Sequence, residues 1–173
     1  MVSSITVANE FINLAKNDGR YFTPMQLLKL VYIAHGWMFG FFNEALIDDD
    51  IEAWKYGPVI PNLYQAIKSY GNRQIENIIT LPFFQRFQNN ESMNEEQKKV
   101  VEFVYKKYGK LDGIKLSMLT HQANTPWDKV FDEFTWGKRI PNAEIHQHYR
   151  NLYQEMIQDY EQLHYSNSPS TFN

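Results

Sequence analysis

The stretch TPMQLLKLVYIAHGWMFGFF, residues 23–42, decides the fold. Thr23 offers a hydroxyl to an orphan helix N–H, Pro24 suits the first helical position and Gln26 can reach back to the cap, so a helix begins here. Leu27, Leu30, Val31, Ala34, Trp37, Met38 and Phe41 form one apolar stripe. Ile33, Gly36 and Gly40 make a second face on which another backbone can come close. Only Gln26, Lys29 and His35 are strongly polar in the 19 residues from Pro24 to Phe42, and the Gly36/Gly40 spacing matches membrane helix dimers, so a span must be weighed. Lys29 well inside such a span would cost ~3 kcal/mol near a bilayer centre. The following segment carries Glu44, Asp48, Asp49, Asp50 and Glu52 rather than a basic anchor. A helix buried at the centre of one domain is the better reading.

Working outward, Ser3 and Ser4 precede Val7, Ala8, Phe11, Ile12 and Ala15, and Asp18-Gly19 stops this first amphipathic helix. Beyond the central helix the helical period fails. Ala45 to Ile47 and Ile51 to Tyr56 read as two short strands around an acidic turn at Asp48 to Asp50, a hairpin over 45–56 ended by Gly57-Pro58. Pro61 starts a third helix through Leu63, Ala66, Ile67 and Tyr70, closed by Gly71. Residues 72–90, with Pro82, Phe83, Phe84 and Phe87, read as irregular or partly extended. Asn94 to Gln97 opens a fourth helix that Gly109 stops. Ile114 to His121 predicts a fifth, and the Thr125-Pro126-Trp127 start predicts another short one before Phe134. Asn142 caps a last helix over 142–164, and residues 166–173 read as a flexible tail. The fold expected is mainly α: a compact single-domain helical bundle over 1–165 with a small β-hairpin insertion.

Composition narrows the function. The 173 residues are 43% apolar and 16% aromatic, enough for a sizeable core. Seventeen Lys+Arg against 20 Asp+Glu give a net charge of −3, which disfavours nucleic acid as the main partner. The absence of Cys excludes disulfides, thiolate nucleophiles and Cys-ligated metals. The N-terminal segment has neither the basic nor the apolar region of a secretory signal, so a cytoplasmic protein is expected. Lys98, Lys99, Lys106, Lys107, Lys110 and Lys115 are interleaved with acids and read as an ordinary helix surface.

No catalytic constellation stands out. His146 and His148, two apart on a helix, point in different directions and are a poor pair of metal ligands. Thr120-His121 lacks a turn that would aim the hydroxyl. Asp48 to Asp50 lacks the spacing of a calcium loop. Neither a metal nor a cofactor is expected. His35 and His121 lie in apolar stretches, where an imidazole is either hydrogen-bonded or faces a cleft; a His35/His121 cleft is the rival reading, that of a ligand-binding protein or enzyme. A DNA-binding regulator is a third.

The most distinctive run is Ala53-Trp54-Lys55-Tyr56-Gly57-Pro58-Val59-Ile60-Pro61-Asn62-Leu63-Tyr64. Its prolines and glycine fix a bend that holds stiff aromatics either as a lock between hairpin and helices or as anchors for a partner. Together with Leu28-Lys29-Leu30, Tyr32, Ala34-His35, Trp37, Leu116-Ser117, Thr120-His121 and Pro126-Trp127, it resembles the Panacea antitoxin domain, also called SocA-like, over roughly residues 5–153. The resemblance implies a non-enzymatic antitoxin of a bacterial or prophage toxin–antitoxin system that neutralises a cognate protein toxin by direct binding. It also implies, from one member's adaptor role, a cytosolic protease as a second partner; a homo-oligomer stays open, and operator binding is not implied. The partner surface expected is Lys29, Tyr32, His35, Trp54, Lys55, Tyr56, Pro58 and Tyr64. Leu30, Trp37, Gly57, His121, Pro126 and Trp127 are expected to be structural.

Overall fold

The computed structural model describes residues 1–80 and 92–165. The caps written in the sequence start its helices. Ser3 Oγ accepts the Thr6 N–H at 3.2 Å and starts α1 (Ser4–Asn17). Gly19, at φ 66°, ends it. Thr23 and Gln26 complete a reciprocal capping box at the head of α2 (Pro24–Phe42), and Asn43, left-handed at φ 58°, terminates that helix.

Every residue from Leu27 to Gly40 is buried. A helix apolar on all sides needs cover on all sides, and α2 finds it in α1, α3 (Pro61–Ile67), α4 (Glu95–Tyr108), α5 (Gly113–Thr120), α6 (Asn142–Tyr165) and one strand. No helix among the described residues is long and apolar enough to cross a membrane. The glycine face of α2 receives α6: a Cβ on Gly36 would overlap the Tyr149 ring, and one on Gly40 would meet the Tyr149 carbonyl oxygen at 3.0 Å. Arg150 donates to the Gly40 carbonyl at 3.1 Å and fastens the same crossing.

Asn94 and Gln97 form a second capping box at α4, with Glu95 and Glu96 in its first turn and Lys106 and Lys107 in its last, as the helix dipole favours. Asp112 caps α5 through the Lys115 N–H. Three of the lysines on this surface are paired with acids one turn away: Lys98 with Glu95, Lys106 with Glu102 and Lys115 with Asp112.

The architecture is mainly α with a small antiparallel sheet of strand order β2-β1-β3. The hairpin lies further along the chain than the spacing of the acids predicts. Its strands are β1 (Glu52–Trp54) and β2 (Gly57–Val59), in register Glu52 with Val59 and Trp54 with Gly57, and the tight turn is Lys55-Tyr56. Pro58 is tolerated because β2 is an edge strand that asks no N–H of it. β3 (Lys138–Arg139) pairs on the other side of β1. The acidic run instead ties segments together: Asp49 accepts from the Ser4 N–H at 2.7 Å and from the Asn62 side chain at 2.6 Å, and Asp50 pairs with Arg139 at 2.8 Å. Ile47 bridges in parallel to Val2.

Two other segments differ from expectation. Residues 125–131 make turns, not a helix. Trp127 stacks on Phe131 at 4.4 Å, and Asp132 then collects the Phe134 N–H, the Thr135 hydroxyl and the Lys138 ammonium, which bends the chain away from a helical path. The third helix gives way to a 3-10 turn over Lys68–Tyr70 before Gly71. Residues 72–80 form no regular element, as expected, although Ile75 bridges to Phe22. Residues 81–91, with Phe83, Phe84 and Phe87, and the tail 166–173 lie outside the described residues.

Candidate functional site

The hairpin, α2 and α3 enclose a groove of about 410 Å³ on the surface. Met25, Leu28 and Lys29 of α2 form its floor, Trp54, Lys55, Tyr56 and Val59 one wall, and Tyr64 and Trp136 the other sides. Trp54 is its central ring, 5.0 Å from Tyr64 and 4.7 Å from Trp136 between centroids. The Trp54 indole N–H donates to Glu52 at 2.7 Å. Beside it Tyr56 is 62% and Trp136 75% exposed, an unusual commitment of large rings to solvent.

The wall is held from behind. The Trp127 indole N–H donates to the Trp54 carbonyl at 2.7 Å, and Ser117 Oγ donates to the Tyr56 carbonyl at 2.8 Å. Trp54, just before the turn, and Tyr56, within it, are therefore both held through their backbone carbonyls. Gly57 is required twice over. Its φ of 97° suits glycine, and a Cβ there would stand 2.9 Å from Lys29 Nζ and 3.1 Å from Thr120 Oγ1.

Lys29 is 2% exposed. Its ammonium donates to the Pro58 carbonyl at 2.8 Å, and no carboxylate among the described residues pairs with it. Burial without a counter-charge pulls its pKa down to about 7.

Five of the eight residues expected on a partner surface line this groove together: Lys29, Trp54, Lys55, Tyr56 and Tyr64. Pro58 is buried in the edge strand and contributes its carbonyl to Lys29. Tyr32 and His35 lie in the interior, because α2 is covered on the faces that carry them. His35 is fully buried; its Nδ1 accepts the Ile47 N–H at 3.3 Å and its Nε2 lies 3.1 Å from Asn142 Oδ1. That arrangement assigns a neutral ring protonated at Nε2, and burial lowers its pKa to about 4. The Asn142 side chain thus serves His35.

Tyr32 is buried, its hydroxyl has no hydrogen-bond partner among the described residues, and burial pushes its pKa up. It borders a smaller cavity of about 140 Å³ shared with Tyr108, Tyr149, Thr120 and His148. Of the residues expected to be structural, Leu30, Trp37, Gly57, Pro126 and Trp127 are buried. His121 is half-buried, its Nδ1 on the Ser117 carbonyl and its ring 5.2 Å from Trp127. His35 and His121 share no hydrogen-bonding partner among the described residues. His146 sits on Asn43 at 2.9 Å, whereas His148 packs against Tyr149.

Trp136 and Met25 escape the sequence reading. Trp136 belongs to no periodic stripe, and the one signal for it is an aromatic pair, Phe134 and Trp136, set in a polar turn-rich stretch.

The domain is mainly helical and bears an aromatic groove, and no group of three or more His, Cys, Asp or Glu side chains that could hold a metal ion occurs among the described residues. The model of the antitoxin SocA-like family, Panacea domain, matches residues 27–128, and the chain belongs to this family. The matched stretch contains α2 from Leu27 onward, the hairpin, α5 and Trp127, which build and brace much of the groove. Antitoxin SocA of Caulobacter vibrioides is 27% identical over 141 residues, covering 75% of this chain and 70% of the relative. No solved structure matches the chain.

Proposed function

We propose that the protein is an antitoxin that neutralises a protein toxin by direct binding in the bacterial cytoplasm, that the groove around Trp54 is the contact surface, and that no catalysis is involved. The observation that carries the reading is the exposure of Tyr56 and Trp136 beside a Trp54 whose backbone is fixed from the core. A large ring presented from a fixed backbone loses less conformational freedom when a partner covers it, and Trp and Tyr are enriched among interface hot spots. Membership of an antitoxin family and the name of the Caulobacter relative support the same conclusion. The burial of His35, with both ring nitrogens used, weighs against the rival histidine cleft.

The test is co-expression with the open reading frame beside the gene. That frame alone should arrest growth, and this protein should restore it. Tyr56→Ala and Trp136→Ala remove exposed rings, so each should leave the thermal midpoint nearly unchanged while weakening toxin binding by about 2 kcal/mol, roughly 30-fold in Kd. Rescue and affinity unchanged in both variants would remove the groove from the interface.

A further inference from the structure

The charge lining the groove is positive, and the Glu52 carboxylate beside it is engaged by the Trp54 indole N–H at 2.7 Å. Among the described residues, Lys29 and Lys55 are the charged side chains of its lining, in a protein whose net charge is −3. Neither has a carboxylate partner among the described residues. Lys55 lies at the rim, its ammonium 5.7 Å from the Tyr56 ring centroid. Lys29 lies at the floor, with one carbonyl, that of Pro58, as its hydrogen-bond acceptor among the described residues. An ammonium has three donors, and burying one without a counter-charge is costly. As a tie to the Pro58 carbonyl alone, a buried lysine is a poor choice.

Resting on the groove as the contact surface, we propose that it accepts a protein segment presenting an apolar or aromatic side chain next to a carboxylate, with the carboxylate seated towards Lys29. The ring of the incoming residue fills the space between Trp54, Tyr56 and Trp136, and the carboxylate supplies the counter-charge that the fold omits. The overall negative charge disfavours an extended polyanion such as a nucleic acid. A single acid flanked by apolar surface meets the two lysines without that repulsion.

The test uses small probes and does not depend on the toxin. Indole-3-propionate, 3-methylindole and tryptamine carry the same ring with a negative, neutral or positive group. NMR titration of the full chain, followed at the Lys29 ε-methylene and the Trp54 and Trp136 indole signals, should show the carboxylate probe binding roughly tenfold more tightly than the neutral one. Tryptamine should be weakest, and the Lys29 signals should shift towards the charged form only with indole-3-propionate. Lys29→Met, of similar length and apolar, should retain the indole site but lose the preference for the carboxylate. Equal affinity for the three probes overturns the proposal, and so does a preference that survives Lys29→Met and disappears in Lys55→Met. Should Lys29→Met not fold, the Lys29 shifts in the wild-type protein decide alone. Loss of toxin binding in Tyr56→Ala without any carboxylate preference would leave the groove as the interface and remove only its acidic occupant. Full toxin binding in the Tyr56 and Trp136 variants would remove the interface itself.

Discussion

Trp37→Ala is expected to lower the unfolding free energy by about 3–5 kcal/mol, seen as a fall of roughly 10 °C in the thermal midpoint. Trp37 is 2% exposed and joins three helices. It stacks on Phe41 at 5.1 Å within α2, meets Phe103 of α4 edge-on at 5.2 Å and Tyr149 of α6 at 5.6 Å. Its indole N–H donates to the Tyr108 hydroxyl at 3.1 Å, and Lys107 lies 5.2 Å above its ring. Truncation empties the place where these elements meet, and the glycine crossing of α2 on α6 loses the ring that keys Tyr149 against Gly36. A loss below about 1 kcal/mol would mean that the bundle collapses onto the vacancy, contrary to the close packing described.

Trp127→Ala should cost a similar amount, about 3–5 kcal/mol, and its consequences reach further. Trp127 is buried against Phe131 and His121, and its N–H is the hydrogen bond that holds the Trp54 carbonyl. The variant therefore removes core surface and frees the wall of the groove at once. Urea unfolding reports the first effect. Toxin affinity, measured well below the transition, reports the second and should fall even where the protein is folded. Unaltered stability would contradict the burial of Trp127, and unaltered affinity in a destabilised but folded variant would contradict its role in bracing Trp54.

Much of this was legible in the sequence where the signal is local. The capping boxes at Thr23-Gln26 and Asn94-Gln97 concern three consecutive peptide units, and they start the helices they announce. The Gly36/Gly40 face marks where α6 crosses, because only a missing Cβ permits that approach. The hairpin was misplaced because Gly57-Pro58 reads as a terminator. Only the tertiary position of β2, at the sheet edge, makes a proline acceptable there. The Thr125-Pro126 start gives only consecutive turns, with the Lys129 N–H on the Thr125 carbonyl and the Phe131 N–H on the Trp127 carbonyl, and beyond them the side-chain bonds of Asp132 to Phe134, Thr135 and Lys138 hold the chain off a helical path.

For the site, the proline-bounded run identified Trp54, Lys55, Tyr56 and Tyr64 as neighbours. Tyr32 and His35 are on the same helix as Lys29, but helical spacing does not say which faces of an all-apolar helix stay open. Trp136 arrives through the pairing of β3 with β1, a contact between residues far apart in sequence that no periodicity encodes.

Hydrogen-exchange mass spectrometry of the protein with and without the toxin proposed as its partner tests the central claim most directly. Binding should slow exchange in the peptides spanning Glu52–Ile60 and Glu133–Lys138, the two stretches that supply Trp54, Tyr56 and Trp136. Protection confined to the outer faces of α4 and α6, with both stretches exchanging as in the free protein, would contradict it.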